Sequence, residues 1–162
     1  MADLFIRKIQ KEDNDGVAHL IRKVMPEFGA SGPGFAIHDP EVSQMFEAYQ
    51  QQGRAYFVVT DGAMIFGGAG VAPLPGEEGT CELRKMYFMS EIRGKGLGQK
   101  LMDECLKAAK EFGYETCYLE TLKSMQQAKA LYQKNNFIPL SAPLGDTGHF
   151  SCDSWFHKSL TE

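Results

Sequence analysis

Three glycines at alternate positions, Gly94, Gly96 and Gly98, separate two segments of different periodicity. Before them, residues 81–89 form an apolar run of strand length. After them, apolar residues recur at helical spacing: Leu97, Leu101, Cys105, Ala108 and Phe112, closed by Gly113. A short buried strand follows at residues 117–121. The segment therefore predicts a strand, a helix and a strand, with the two strands parallel and joined by a right-handed crossover.

The glycine run has two interpretations. At the start of a helix the first amides have no intrahelical partner, and the helix dipole favours an anion. Residues without Cβ atoms let a diphosphate reach those amides, and Arg93, Lys95 and Lys100 add positive charge around it. The alternative is a tight strand-to-helix turn with solvated cations. The loop alone leaves both interpretations open.

The glycine spacing fits neither of two common nucleotide loops. The letters GKGLG do not match G-x-G-x-x-G, and no acidic ribose partner stands at the expected offset. They also do not match G-x-x-x-x-G-K-[ST], because the glycines are too close together and no hydroxyl residue follows Lys95 or Lys100. The sequence therefore disfavours a dinucleotide-binding or ATP-binding enzyme, although that class remains an alternative.

The N-terminal part of the chain predicts a strand followed by two helices. Residues 4–9 alternate like a strand, and Asp13 starts a helix with one apolar face. A loop rich in proline and glycine, residues 26–40, interrupts the pattern and has the composition of a cover over a site. Asp39 and Pro40 then predict the start of a second helix.

Further strands and one more helix complete the pattern. Asp61-Gly62 predicts a hairpin turn, and Ser124 with Gln127 predicts a capping box for a helix that ends at Asn135-Asn136. The additional strands are at residues 55–59, 64–72, 137–140 and 149–160. The fold class is therefore α/β, with a mixed, mostly antiparallel sheet of about seven strands, a central parallel pair and about four flanking helices. At 162 residues, the chain 1–162 fits a single domain.

Composition excludes several classes of partner. A formal charge of −4 argues against nucleic acid, which requires a basic surface. The four cysteines show neither C-x-x-C spacing nor clustering with histidines, so we expect no metal and a reducing compartment. The N-terminus lacks the pattern of a signal peptide, and no apolar run is long enough to cross a membrane. We therefore expect a cytoplasmic protein that binds no membrane.

Two segments together resemble the GNAT superfamily of acyl-CoA-dependent N-acetyltransferases. The letters RGKGLG resemble the Arg/Gln-x-x-Gly-x-Gly/Ala signature of that family, and AKALYQKNNF (residues 128–137) is similar to its A-x-x-L-Y-x-x-x-G-F segment. The order of elements fits the family fold over essentially the whole chain. The sequence departs from the family pattern at two positions. Met125 stands where many members carry an asparagine that contacts the pantetheine arm. Asn136 replaces the usual glycine, and asparagine tolerates the same left-handed backbone.

The resemblance implies acetyl-CoA as cosubstrate and assigns most of the site. The loop after residues 81–89 would hold the coenzyme A pyrophosphate, and the pantetheine arm would lie between two splayed parallel strands. Backbone amides near Tyr87 and Phe88 would stabilise the developing oxyanion. Tyr132 would protonate the leaving thiolate, whereas without the resemblance an aromatic residue on the core face of a helix is the favoured interpretation. The implied cofactor-binding residues are Met86, Tyr87, Phe88, Arg93, Gly94, Lys95, Gly96, Leu97 and Gly98.

Two residues are candidates for the general base. Glu82 shares a strand face with Met86 and Phe88 if no bulge intervenes, and some family members place a catalytic glutamate there that acts through water. The alternative is a strand glutamate paired with Arg84 or Lys85. His149 titrates near neutrality and is a second candidate. A joint nucleophile or metal role of His149 with Cys152 and Asp153 would need a turn within residues 149–160.

The acceptor pocket is predicted from the loop, the strand bearing Glu82 and the region of His149. Its expected lining residues are Glu27, Phe28, Phe35 and His149. The function predicted is transfer of an acetyl group to a primary amine of a small metabolite. The alternatives are a protein N-terminus or lysine as acceptor, and a non-catalytic acyl-CoA sensor. Members of the family are often dimers, so the resemblance also allows a homodimer.

Overall fold

Seven strands form one mixed sheet in the part of the chain that the structure describes, residues 3–161 of a computed structural model. They are β1 (Phe5–Lys8), β2 (Ala55–Thr60), β3 (Ile65–Pro73), β4 (Thr80–Phe88), β5 (Thr116–Thr121), β6 (Ile138–Leu140) and β7 (Ser154–Ser159). Their order across the sheet is β1-β2-β3-β4-β5-β7-β6. Neighbouring strands are antiparallel except for β4 and β5, which are parallel.

Four α-helices accompany this sheet within residues 3–161. They are α1 (Asn14–Glu27), α2 (Met45–Ala48), α3 (Leu97–Glu111) and α4 (Gln126–Lys134). Helix α1 packs on β3 and β4, and α3 packs on β2 and β3. The predicted α/β class, with its central parallel pair, is therefore confirmed. None of the helices in this part of the chain combines the length and the apolar character needed to cross a bilayer.

The buried face of α3 differs from the predicted one. Met102 and Ala109 are fully buried, whereas Ala108 is only half-buried and Phe112 is 43 % exposed. Successive i, i+4 steps rotate the buried face around the helix, so Ala109 replaces Ala108 near the C-terminal end. Phe112 follows the last helical residue and packs edge-on against Tyr114 instead of entering the core.

Three predicted local features are wrong. The capping box of α4 does not form, because the N-cap is Met125 and the Ser124 hydroxyl donates to the Phe28 carbonyl oxygen at 3.2 Å. The predicted second helix divides at Gln44 into a 3₁₀ turn, Pro40–Ser43, and the single turn α2. The last strand begins at Ser154 and not at residue 149. Residues 149–153 instead form a turn, in which the amide of Cys152 donates to the His149 carbonyl oxygen.

A β-bulge interrupts β4 next to the candidate site. Pairing with β3 steps from Arg84 opposite Gly70 to Tyr87 opposite Gly68, so two residues of β4 face one of β3. Lys85, in the bulge, has a φ of +52°. The bulge shifts the alternation, so Glu82 and Arg84 share a face with Tyr87. The predicted shared face of Glu82 with Met86 and Phe88 is therefore wrong.

Candidate active site

The two parallel strands separate along their length. Their paired residues run from Thr80 opposite Thr116 to Glu82 opposite Tyr118, and no further pairing follows although both strands continue. A groove of about 600 Å³ lies beside the C-terminal half of β4, and Met86, Tyr87 and Phe88 line it. The sequence expectation of two splayed strands thus agrees with the strand register.

The N-terminus of α3 opens into this groove. Gly96 is the N-cap with a φ of +78°, and no side chain caps this end of the helix. Gly94 has the same φ, and a Cβ atom built on Gly94 or Gly96 meets no other atom within 4 Å. A Cβ at Gly98 would instead approach Leu131 Cδ2 at 3.3 Å. The first two glycines therefore permit a left-handed turn beside open space, whereas the third permits close packing of α3 on α4.

The cations of the glycine run are not equivalent. The Arg93 guanidinium donates to the Phe88 carbonyl oxygen at 2.7 Å and to Glu27 at 2.9 Å, and it stacks 5.4 Å from the ring centre of Phe28. Arg93 lines the groove, but these contacts already occupy much of its donor capacity. Lys95 and Lys100 are exposed. Arg93 therefore shapes the mouth of the groove, and the uncapped amides remain its main anion-binding feature.

Helix α4 supplies a wall of the groove that the sequence analysis did not identify. Gln127, Leu131 and Lys134 line it at i, i+4 and i+7, which is the spacing of one helical face. The i, i+4, i+7 spacing of these residues was the available signal in the sequence. Lys134 adds a cation to the lining of the groove.

A smaller pocket of about 50 Å³ lies next to the groove. Met86, Tyr87 and Met125 line both cavities, so the two meet between the splayed strands. The other residues lining the smaller pocket are Met25, Ala30, Phe35, Ala36, Glu82, Leu83, Arg84, Lys85, Glu120, Thr121, Leu122, Tyr132, His149 and Cys152. A molecule in the groove and a second molecule in the pocket would therefore meet at the end of β4.

Of the residues expected around an acceptor, Phe35, Glu82 and His149 line this pocket. Phe28 lines the groove instead, and Glu27 pairs with Arg93 at the mouth of the groove. Glu120 lines the pocket but was not identified from the sequence. It stands two residues after Tyr118 on β5, so strand alternation along the predicted parallel pair was the available signal.

Glu82 is the most buried carboxylate of the pocket, with 3 % of its surface exposed. Burial raises the pKa of Glu82, although the Arg84 guanidinium, whose Nε lies 2.7 Å from Glu82 Oε1, acts in the opposite direction. The ion pair expected as the alternative to a catalytic role is therefore present. It coexists with a pKa shifted in the direction that a general base needs.

His149 connects two carboxylates from distant parts of the chain. Its Nε2 lies 2.9 and 3.0 Å from the two oxygens of Asp39, and its Nδ1 lies 3.5 Å from Glu120. Burial alone would lower the pKa of His149, but the hydrogen bonds to Asp39 and Glu120 outweigh burial and raise the pKa to about 9. At neutral pH the imidazole is therefore mainly a cation, which suits a positioning role better than the role of a base.

The structure also brings together three side chains with the ligand types of a metal site. Glu82, Glu120 and His149 each offer one atom, and these atoms lie within 4.8 Å of one another. Each of these side chains already bonds a protein partner, namely Arg84, Thr147 and Asp39 respectively. The arrangement is a satisfied charge network, and the absence of a metal stays a prediction of the sequence.

Tyr132 extends from α4 into the core beside the pocket. Its ring packs 6.0 Å from the rings of both Phe137 and Phe156, so the core interpretation accounts for the ring. Within residues 3–161 its hydroxyl forms no hydrogen bond with another protein group. Because no fully enclosed side-chain oxygen lacks a partner there, the hydroxyl is open to the pocket that Tyr132 lines. Burial raises the pKa of Tyr132, so the hydroxyl keeps its proton at any pH in the usual range.

Comparisons with known proteins identify the family of the chain. The model of the Acetyltransferase (GNAT) family matches residues 18–137. The chain is 41 % identical over 150 residues to a protein of Escherichia coli K12 named uncharacterized N-acetyltransferase YjgM, covering 91 % of this chain and 90 % of that one.

Two solved structures have a similar fold. A GNAT-family acetyltransferase from Staphylococcus aureus Mu50 superposes with a TM-score of 0.81 at 18 % identity, covering 98 % of this chain and all of that one. The Salmonella typhimurium protein yncA, described as a putative acetyltransferase with its cofactor acetyl-CoA, superposes with a TM-score of 0.77 at 17 % identity. That alignment covers 99 % of this chain and 96 % of yncA.

Proposed function

The chain belongs to the GNAT family of acetyltransferases and is an acyltransferase, and from that premise we propose that it transfers the acetyl group of acetyl-CoA to a primary amine of a small metabolite. Transfer is direct, within a ternary complex of enzyme, donor and acceptor. The observation that carries the proposal is the junction of groove and pocket at Met86, Tyr87 and Met125, where donor and acceptor would meet.

The donor occupies the groove in this proposal. The uncapped first turn of α3 binds the pyrophosphate through its amides, with Gly94 and Gly96 leaving the approach open. The pantetheine arm lies between β4 and β5, where the strands no longer pair. The thioester carbonyl then reaches the backbone near Tyr87 and Phe88, whose amides stabilise the negative charge that develops on its oxygen.

Glu82 and Tyr132 divide the proton transfers. Glu82 accepts a proton from the substrate ammonium through a water molecule, which leaves a neutral amine. The amine nitrogen then bonds to the carbonyl carbon, the carbon–sulfur bond breaks, and Tyr132 gives its hydroxyl proton to the sulfur. The second proton, which the nitrogen sheds as the amide forms, restores the Tyr132 hydroxyl through water, and Glu82 releases its proton to solvent. Because the Tyr132 hydroxyl has no protein partner in residues 3–161, it is free to point at a sulfur placed between the strands.

The cover over the pocket favours a small acceptor over a protein. Ala30, Phe35 and Ala36, from the segment that follows α1, line the pocket. Two hydrogen bonds from the turn after His149 hold this segment in place. The Ser151 hydroxyl donates to the Pro33 carbonyl oxygen, and the Ser151 amide donates to the Gly34 carbonyl oxygen. A peptide would need an open channel here. A homodimer and a cytoplasmic location stay predictions of the sequence.

The proposal is tested by measuring thiol release from acetyl-CoA across a panel of primary amines. The panel includes small aliphatic amines, amino acids, and peptides with a free N-terminus or lysine. We expect turnover with small amines and little with peptides. Turnover only with peptides would favour the protein acetyltransferase, and coenzyme A binding without turnover of any amine would favour the sensor.

Substituting Gly96 by valine should weaken coenzyme A binding by about ten- to a hundredfold, which corresponds to loss of one or two charge-assisted hydrogen bonds. A side chain there obstructs the first-turn amides, and a φ of +78° strains any L-residue by about 1–2 kcal/mol. Gly113→Val is the matched control, since Gly113 is also left-handed and open but follows the opposite end of α3. Calorimetric titration with coenzyme A should separate the two variants. Equal affinities would contradict the pyrophosphate site.

A further inference from the structure

Lys85 combines two costly features. Its backbone lies in the left-handed region, with a φ of +52°, which glycine adopts freely and a lysine does not. Its side chain is only 2 % exposed, although burial of an ammonium is unfavourable unless it is fully paired. Because backbone strain of this kind persists only where the surrounding structure imposes it and concentrates at functional sites, the Lys85 side chain is a candidate for a functional role.

The ammonium of Lys85 holds two carboxylates that precede α2. Its Nζ lies 2.7 Å from Asp39 Oδ2 and 2.8 Å from Glu41 Oε2, and Glu41 also accepts a hydrogen bond from the Tyr49 hydroxyl. Asp39 stands between two 3₁₀ turns, Ala36–His38 and Pro40–Ser43, so no strand or long helix fixes its position. Lys85 is therefore the main tether of the Asp39 side chain to the sheet.

Asp39, held by Lys85, in turn fixes the position of the His149 imidazole. Its two oxygens lie 2.9 and 3.0 Å from Nε2 of His149, whose Nδ1 faces Glu120 inside the pocket. The bulge itself has a separate anchor, because the Tyr56 hydroxyl donates to the Lys85 carbonyl oxygen at 2.8 Å. Loss of the Lys85 side chain should therefore disturb Asp39 and His149 more than the backbone that faces the groove.

We propose that Lys85 is a positioning residue of the acceptor pocket, which acts by holding Asp39 where its carboxylate orients His149 against Glu120. The inference rests on the proposed function for the identity of this pocket. It assigns no contact with substrate to Lys85. Without the Lys85 ammonium, Asp39 and Glu41 repel each other, Asp39 moves away, and His149 loses its fixed orientation.

Titration of His149 by NMR in Lys85→Met tests the tether without any measurement of activity. The charged groups that face His149 are Asp39, Glu120 and Glu82, with Lys85 behind Asp39. If Asp39 stayed in place, removal of a nearby cation would raise the pKa of His149. If Asp39 is released, as proposed, the pKa falls, as it also should in Asp39→Asn. A rise in Lys85→Met would overturn the proposal.

The kinetic test separates acceptor binding from donor binding. We expect kcat/KM for the amine to fall about ten- to a hundredfold in Lys85→Met, the size of effect that a displaced active-site group produces. The Kd for coenzyme A should stay within about twofold. Lys107→Met, on the exposed surface of α3, is the control for loss of a lysine charge. An unchanged kcat/KM for the amine would contradict the positioning role.

The test still decides if Lys85→Met does not fold or if the wild-type protein shows no activity. Lys85→Gly removes the backbone strain together with the tether, so it replaces Lys85→Met if that variant does not fold, and the same changes are expected. If the wild-type protein acetylates no amine, the proposed function fails, while the His149 titration still decides the role of Lys85.

Discussion

Substitution of Tyr132 by phenylalanine is expected to lower kcat by about 10²- to 10³-fold, within the range typical of a lost general acid. The Kd for coenzyme A should change little, because the ring that packs against Phe137 and Phe156 is retained. The reason is chemical: without the hydroxyl, the departing sulfur has no positioned proton donor. Burial destabilises the charged thiolate of coenzyme A. It destabilises the charged phenolate of Tyr132 in the same way, which raises the pKa of Tyr132.

The control for this variant is Tyr114→Phe. The Tyr114 hydroxyl donates to the Gly53 carbonyl oxygen and lines neither cavity, so its loss removes a phenol without touching the site. Single-turnover measurements with saturating acetyl-CoA would compare both variants with the wild type. A Tyr132→Phe enzyme with wild-type kcat would reduce Tyr132 to a core aromatic, the alternative that its packing also satisfies.

Features that depend on local periodicity were predictable from the sequence. The turn at Asp61-Gly62, the apolar face of α1 and the parallel pair around α3 follow from residues close together in the chain. The same holds for Asn136, whose φ of +68° is the left-handed conformation expected where a helix ends. At such positions the backbone requirement is local, so residue type alone indicates it.

The charge network of the pocket was not predictable in this way. Asp39 and His149 are 110 residues apart, and Lys85 meets Glu41 across 44 residues. These pairs depend on how the loop before α2 and the turn before β7 pack on the sheet. The bulge at Lys85 has the same origin, because register belongs to a pair of strands and not to one. It places Glu82 on a different face from Met86 and Phe88, which simple alternation predicts to share one with it.

Substitution of Glu82 by glutamine is expected to lower kcat/KM for the amine by about 10²- to 10³-fold and to remove the acidic limb of its pH profile. Glutamine keeps the shape and can still accept the hydrogen bond from Arg84, so the fold should persist. In the wild type, burial raises the pKa of Glu82, and only the ionised form can accept a proton. Activity should therefore rise with pH through a pKa that is raised from the ordinary value of a glutamate.

The pH at which activity rises distinguishes Glu82 from His149 as the general base. If His149 were the base, activity would rise near pH 9, where the pKa of His149 lies. Glu82→Gln would then keep this rise but move it to lower pH, because the Glu82 charge contributes to the raised pKa of His149. Glu120→Gln is the control within the same pocket. Burial acts to raise the pKa of Glu120, but hydrogen bonds from His149, Thr147 and Tyr118 lower it, so this group is already ionised where activity rises. Glu120→Gln should therefore change the rate but keep the acidic limb of the pH profile. That limb arises only from a carboxyl group that is still protonated at the pH where activity is low.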